Sequence, residues 1–315
     1  MTDGSGTILI IGRNGQLARA LHDVFTASAQ QFIALGRPEI DLSDPPTAKT
    51  AIIAARPAVV INAAAYTAVD RAEDDAEAAF AINEAGAKAA AEAAAEIGAS
   101  IVHVSTDYVF DGKKDSPYVE SDPTAPLGVY GSSKRAGELA VAAANPKHVI
   151  LRTSWVFSPY GANFVKTMLR LNSERSELNV VDDQFGNPTS ALDLARAIAR
   201  MLPKLLDSSL DSQAFGIFHV VNAGTTTWRG FAEAIIGAAH RRGASRANVR
   251  AIGTKHYPTR ASRPGYSALA TDKITDVFGI HLRPWPDALS ECLDQLIGPT
   301  REDMMQPQEA LGRST

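Results

Sequence analysis

The stretch TILIIGRNGQLARALHDVF runs a short β-branched apolar segment into a glycine turn and then an amphipathic helix, over residues 7–25. An apolar run of that length closed by Gly reads as a buried strand. Leu17, Leu21 and Val24 then share one helical face. The same unit recurs. FIALG, AVVINAAA, SIVHVST and HVILRTSWVF read as strands, with TAKTAIIAA, AEAAFAINEAGAKAAAEAAAEIG and an Ala-rich segment around Tyr130 as the helices between them. Gly98 closes the second of these helices in the position that favours glycine. Strands that alternate with helices of ten or more residues require right-handed crossovers and a parallel sheet covered on both faces. The expectation is an α/β fold with a doubly wound parallel (Rossmann) sheet over residues 6 to about 155.

Beyond residue 155 the alternation weakens. NFVKTMLRLNSE, ALDLARAIARMLPKLL and TTTWRGFAEAIIGAAHRRG read as helices, the last with Thr hydroxyls able to cap its N-terminus. LNVVDDQFGNPTS reads as strand and loop, GIFHVVNAG as a strand, and YPTRASRPGYS as loop. This predicts a nucleotide-binding domain over 1–155, with segments around 180–225 returning to it. A smaller α/β substrate lobe spans mainly 156–298, and a flexible tail covers 299–315.

The turn GRNGQLA places Gly12, Gly15 and Ala18 at intervals of three, directly after the first strand. A pyrophosphate needs a close backbone approach and a helix N-terminus aimed at it, and this position supplies both. Without that position the Gly spacing would mean no more than a tight turn. At the end of the second strand a carboxylate favours NAD and an arginine accommodates the 2′-phosphate of NADP. Here the first polar side chain is Arg37, with Arg13 inside the Gly loop, so NADP is favoured; the alternative is that both are solvated surface residues. Asp41 either meets the adenine amine or caps the next helix.

Ser105, Thr106 and Asp107 end the strand SIVHVST, where open sheets place their sites. Tyr130 follows 24 residues later, with Lys134 one helical turn beyond it. A Tyr-x-x-x-Lys spacing alone says little, but a hydroxyl at a strand end followed by that pair is specific. A free phenol ionises near ~10 and is a weak acid-base partner at neutrality; a neighbouring ammonium would lower that value.

On these segments, together with VVINAAAYTAVDRAE, STDYVFDG, VYGSSKRAGE, DDQFGNPTS, GTTTWRGFA and ASRPGYSAL, the chain resembles the extended short-chain dehydrogenase/reductases. Among them it is similar to the dTDP-4-dehydrorhamnose reductases, over residue 8 to about 290. The resemblance implies NADPH-dependent reduction of the C4 ketone of dTDP-4-dehydro-L-rhamnose to dTDP-L-rhamnose, with NADH as the alternative cofactor. It implies Tyr130 as proton donor, Lys134 as its electrostatic tuner and holder of the nicotinamide ribose, and Thr106, with Ser105 as second choice, positioning the ketone. Cofactor contacts would come from Gly12, Asn14, Gly15, Gln16, Leu17, Arg37, Asp41, Leu42, Ala63, Ala64 and Ala65, besides Tyr130 and Lys134. Substrate contacts would come from Thr67, Val69, Asp107, Tyr108, Trp155, Asn163 and Arg263, the last at the pyrophosphate unless it merely pairs with a surface carboxylate. Asn62 would line the cofactor channel, and Asn83 would bridge helix and loop.

Other features narrow the class. A net charge of −4 argues against phosphate-driven nucleic-acid binding. One cysteine, Cys292, excludes an internal disulfide and fits a reducing compartment. The N-terminus lacks a basic leader and no apolar run is long enough to span a bilayer, so no membrane partner and a cytoplasmic location are expected. The 7 histidines show no metal-ligand spacing, and no metal is expected. Glu73, Asp74 and Asp75 read as a solvated acidic helix start, and Trp228 and Phe231 as core. Some relatives dimerise through magnesium held by glutamates; the matching places here hold Ala20 and Leu192, which leaves a monomer or weak homodimer. Two alternatives stay open. One is an NADP-binding regulatory subunit of the methionine adenosyltransferase type; the other is a nucleotide-sugar epimerase or dehydratase. A dehydratase would want an Asp-Glu pair after the hydroxyl, where Asp107 is followed by Tyr108.

Overall fold

A computed structural model describes residues 6–207 and 212–300. Its longer strands are β1 (Ile8–Ile11), β2 (Phe32–Leu35), β3 (Val59–Asn62), β4 (Ser100–Thr106), β5 (His148–Thr153), β6 (Glu177–Val181), β7 (Gly216–His219) and β8 (Asn248–Ile252). Its longer helices are α1 (Gln16–Ala27), α2 (Pro45–Ala55), α3 (Ala87–Glu96), α4 (Val129–Ala144), α5 (Phe164–Glu174), α6 (Ala191–Leu206), α7 (Trp228–Arg241), α8 (Asp272–Phe278) and α9 (Trp285–Ile297). Six strands form one parallel sheet in the order β7-β5-β4-β3-β1-β2. Side chains alternate across it: Ile8 and Ile10 join one core with α1 and α6, and Leu9 and Ile11 join the other with α2 and α3. Burial on both faces explains why these strands read as unbroken apolar runs.

The chain leaves β5 sooner than its sequence suggests. HVILRTSWVF reads as one strand, but β5 ends at Thr153 and Trp155 adopts a left-handed φ of 45°. That turn starts the second core, where Phe157, Val165, Leu178, Phe231, Trp285 and Leu289 join α5, β6, α7 and α9. The segments around 180–225 divide between the two cores. β6 pairs with β8 outside the main sheet, whereas α6, β7 and, unforeseen, Ile274 and Ile280 around α8 pack on the first core. The edge of β5 is open for β7, and the amphipathic face of α6 is matched by that of α1. Of the expected tail, residues 301–315 lie outside the described residues. No helix among the described residues is long and apolar enough to cross a membrane.

Glycines set the closest helix contacts. A Cβ at Gly137 of α4 would lie 2.0 Å from the Asn83 carbonyl oxygen, and one at Gly86 would lie 2.2 Å from that of Leu42. Such separations force backbone to move, and overpacking of this kind costs about 1–3 kcal/mol. Gly137→Ala should lower the thermal unfolding midpoint by that scale while leaving expression of folded protein detectable. A midpoint equal to wild type would mean that α4 does not approach residue 83 this closely.

Candidate active site

The strand order reverses between β1 and β3, and in open sheets of this kind ligands sit at the carboxyl ends beside that reversal. Gly12 leaves β1 with φ 119°, a left-handed conformation that favours glycine, although a Cβ there would make only ordinary contact with Ala18, Ala63 and Ala64. Gly15 caps α1 without a side chain, a Cβ on it would meet nothing within 4 Å, and the first turn carries no acidic residue. The helix end therefore presents backbone N–H groups and a positive dipole terminus to an anion. Asn14 is exposed beside it, and Ala63, Ala64 and Ala65 form the half-buried wall after β3. These residues fit a dinucleotide pyrophosphate by shape and by field.

Several expected contacts have other partners. Leu17 and Leu42 are core side chains, and the Leu42 carbonyl packs on Gly86, leaving only backbone for a ligand. Gln16 accepts from Ser158 Oγ at 2.8 Å and Asn163 Nδ2 at 2.9 Å, and donates to the Val156 carbonyl. Asn163 also caps α5 through Lys166 N and donates to the Ser158 carbonyl at 2.7 Å. Its side chain joins the lobes, which displaces the substrate role expected of it. Arg13 forks onto Glu39 at 2.8 and 2.9 Å, which leaves exposed Arg37 as the cation better able to meet a 2′-phosphate. Asp41 turns back on Ser43, whose hydroxyl and N–H hold its carboxyl below the usual range, with Arg37 adding to the effect.

At the end of β4 the structure brings Thr106, Asp107, Tyr108, Tyr130 and Lys134 together. Thr106 Oγ1 donates to Asp107 Oδ1 at 3.0 Å and accepts from Tyr108 N, close beside the Tyr130 phenol. Tyr108 packs edge-on against Tyr130 with ring centroids 5.6 Å apart. Burial pushes Tyr130 up to about 12; the Thr106 bond opposes this and the Asp107 charge adds to it. The expected lowering by Lys134 is thus corrected. Lys134 donates to the Val104 carbonyl at 2.7 Å and faces His103 at 3.4 Å, while burial pulls it down to about 8 against the pull of Glu138. Burial also raises Asp107 to about 6, with Ser267 and Thr106 lowering it, and Asp107 Oδ2 has no hydrogen-bond partner.

Ser105 faces away from Thr106: its hydroxyl donates to Glu138 at 2.6 Å, and Glu138 is clasped by Arg152 at 2.8 Å through both oxygens. That removes Ser105 as second choice for the ketone. Glu73 is no solvated helix start, since its Oε1 accepts from Val129 N at the first turn of α4. Asn83 bridges Tyr66 and Ser133 as a helix-to-loop bonder. Asn62 is buried, bonded to His103 and to Ala64 N. His103, Glu138 and Arg152 escaped sequence reading because a strand histidine and one acid–base pair 14 residues apart carry no local signal.

Arg263 comes from the second lobe, pairing with Asp70 at 2.7 Å beside Tyr108. It lines a cavity of about 690 Å³ that also takes in Phe164, Met168, Gln184, Trp228 and Tyr257. Trp155 stacks on Trp228 at 3.6 Å beside it, while Thr67 is exposed and Val69 half-buried at the start of the short helix Val69–Ala72. Cys292 is buried in the second core, with its thiol pushed up to about 12. Among the described residues no cluster of three or more His, Cys, Asp or Glu is placed to hold a metal ion.

Comparison with known proteins covers most of the chain. The RmlD substrate binding domain family matches residues 6–297. A dTDP-4-dehydrorhamnose reductase of Sinorhizobium fredii is 46% identical over 89% of this chain and 94% of its own. That of Escherichia coli is 41% identical over 93% and 99%. The crystal structure of a Clostridium acetobutylicum dTDP-4-dehydrorhamnose reductase superposes with a TM-score of 0.86 at 37% identity, covering 92% of this chain and 99% of that one. That of the Bacillus anthracis enzyme, in complex with NADP, does so with a TM-score of 0.85 at 34% identity and the same coverage. The chain therefore belongs to the RmlD substrate binding domain family, alongside the dTDP-4-dehydrorhamnose reductases.

Proposed function

We propose that the protein reduces the C4 ketone of dTDP-4-dehydro-L-rhamnose to dTDP-L-rhamnose with NADPH. The observation that carries this is that Thr106 and Tyr130 meet at the carboxyl end of β4, at the same end of the sheet as the Gly12 turn. The bound cofactor supplies a hydride to C4. The residues that would hold it are the backbone of Gly12, Asn14 and Gly15, the N-terminus of α1, the wall Ala63–Ala65, and Arg37 at the 2′-phosphate. Tyr130 delivers its proton to the oxygen that becomes the alcohol. A phenol held near 12 is fully protonated at neutrality, yet an alkoxide is a stronger base and takes the proton. Asp107 accepts the single Thr106 proton at rest, so Thr106 must release that bond to donate to the same oxygen. Lys134 keeps the reacting end of α4 in register with β4 through the Val104 carbonyl and stands where the nicotinamide ribose would lie. Arg263 and the aromatic cavity receive the nucleotide end of the substrate. The protein acts in the cytoplasm as a monomer or weak homodimer, since Ala20 and Leu192 offer no carboxylate to share a magnesium ion.

The direct test is NADPH oxidation with enzymatically made dTDP-4-dehydro-L-rhamnose. Tyr130→Phe should fold and lose at least ~10²-fold in kcat, the scale of a general acid; near-normal turnover would reject the role of Tyr130. Arg37→Asp should weaken NADPH by roughly 10- to 100-fold and hardly touch NADH, since a charge-assisted contact is worth ~1.5–3 kcal/mol. Equal effects on both cofactors would place Arg37 away from the phosphate. Arg263→Ala should raise KM and leave kcat nearly unchanged, because the nucleotide end does not react. If the variant loses as much on a free 4-keto sugar as on the nucleotide sugar, Arg263 serves the fold or the reacting centre instead.

A further inference from the structure

Arg263 already holds an anion that belongs to the protein. Its Nη1 and Nη2 donate to Asp70 Oδ1 and Oδ2 at 3.2 and 2.7 Å, a two-point fork across the lobes. A phosphate offers the same pair of acceptor oxygens to a guanidinium edge, so carboxylate and phosphate compete for it. The Arg263 side chain is 20% exposed in the wall of the cavity of about 690 Å³, whereas that of Asp70 is 45% exposed. The difference decides which partner can let go. A largely hidden guanidinium without a counter-ion is costly, while a carboxylate at the surface returns to water at little cost. Asp70 also has a bond to keep when it releases Arg263, because its Oδ1 accepts from Ala261 N at 3.1 Å. A neutral ligand brings no charge to replace the carboxylate; a diphosphate does.

We infer that Asp70 is a specificity-determining residue, a resident counter-ion that holds Arg263 until the diphosphate of the nucleotide sugar takes its place. The inference rests on the reading of Arg263 as the nucleotide contact and adds that this contact is made by exchange. Asp70 stands on the short helix Val69–Ala72 of the first domain, and Arg263 on a loop of the second lobe. Exchange therefore moves the guanidinium from a bond within the protein to a bond with the substrate. Each ligand must compete with the aspartate, so the site selects for charge as well as for shape. A second pair, Arg260 with Asp74, joins the same two segments, but its side chains are 63% and 54% exposed and Arg260 is not part of the cavity wall. It serves as the control.

The probe is dTDP, which carries the diphosphate and has no ketone to reduce, titrated calorimetrically into the NADP-loaded protein. Asp70→Asn preserves the shape and an acceptor for Ala261 N but removes the charge. It should bind dTDP roughly 2- to 5-fold more tightly than wild type, the range of one partly exposed ion pair. Asp74→Asn removes a like charge four residues away and should leave dTDP binding unchanged. Thymidine, with no phosphate, should bind wild type and Asp70→Asn alike. In the wild-type protein crystallised with dTDP, Arg263 should have left Asp70 for the phosphates. Unchanged or weaker dTDP binding by Asp70→Asn, an equal gain from Asp74→Asn or for thymidine, or a fork still closed in the dTDP complex overturns the exchange. If Arg263→Ala binds dTDP as well as wild type does, the assignment of Arg263 to the nucleotide fails instead.

Discussion

The site depends on one buried ion pair. Glu138 lies on the Tyr130 helix, Arg152 on β5 and Ser105 on β4, and their hydrogen bonds join all three elements behind the reacting groups. Burial alone would raise the Glu138 carboxyl, but Arg152, Ser105 and Arg135 together keep it lowered and charged. Removing one partner of such a pair leaves an uncompensated buried charge, a loss of about 3–5 kcal/mol. The geometry is correspondingly stiff. Tyr130 and Lys134 stand eight and four residues before Glu138 on α4, so fixing Glu138 to β4 and β5 fixes where the phenol and the amine meet the end of β4.

Two polar straps hold the second lobe over that end. Gln16, at the start of α1, is gripped by Ser158 and Asn163, while Asp70 takes Arg263 and the Ala261 N–H. The first strap lies beside the dinucleotide turn and the second beside Tyr108. Both straps therefore fix the placement of the second lobe against the end of the sheet. The Asp70 carboxyl is held below its usual range chiefly by Arg263, so the second strap is a charged one at neutral pH.

The sheet was legible because its inner strands are buried on both faces and write apolar runs, and because Gly12 and Gly98 punctuate the helices around them. Thr106, Tyr130 and Lys134 were legible as residues, since a strand end and one helical turn fix where they project. Their electrostatics were not. Tyr-x-x-x-Lys suggests an ammonium beside a phenol, but χ angles carry Lys134 toward Val104 and His103, and burial acts on each group separately. The roles expected of Gln16 and Asn163 shifted for a related reason: a polar side chain at an element's end is claimed by whatever the tertiary fold brings nearest, and sequence spacing cannot say what that is. The return of α8 to the first core was hidden because its seven residues carry too short a pattern to point to one face.

Around the reacting centre burial moves every titratable group toward its uncharged form: Tyr130 and Asp107 upward, Lys134 and His103 downward. Asp107 at about 6 and Lys134 at about 8 still keep most of their charge at neutral pH, and Glu138 and Arg152 neutralise each other one layer deeper. A ketone placed against Thr106 and Tyr130 would therefore meet oriented neutral donors in a medium of low polarity. Hydride addition creates one new charge there, on the ketone oxygen, and in such a medium an uncompensated alkoxide is far less stable than in water. Proton delivery from Tyr130 removes that charge but leaves a phenolate in its place. The phenolate inherits the same penalty, since burial raises the Tyr130 pKa and so disfavours its charged form. The proton that Tyr130 gives up must therefore be restored before the next turnover, and the buried phenol is a donor whose recharging is part of each cycle.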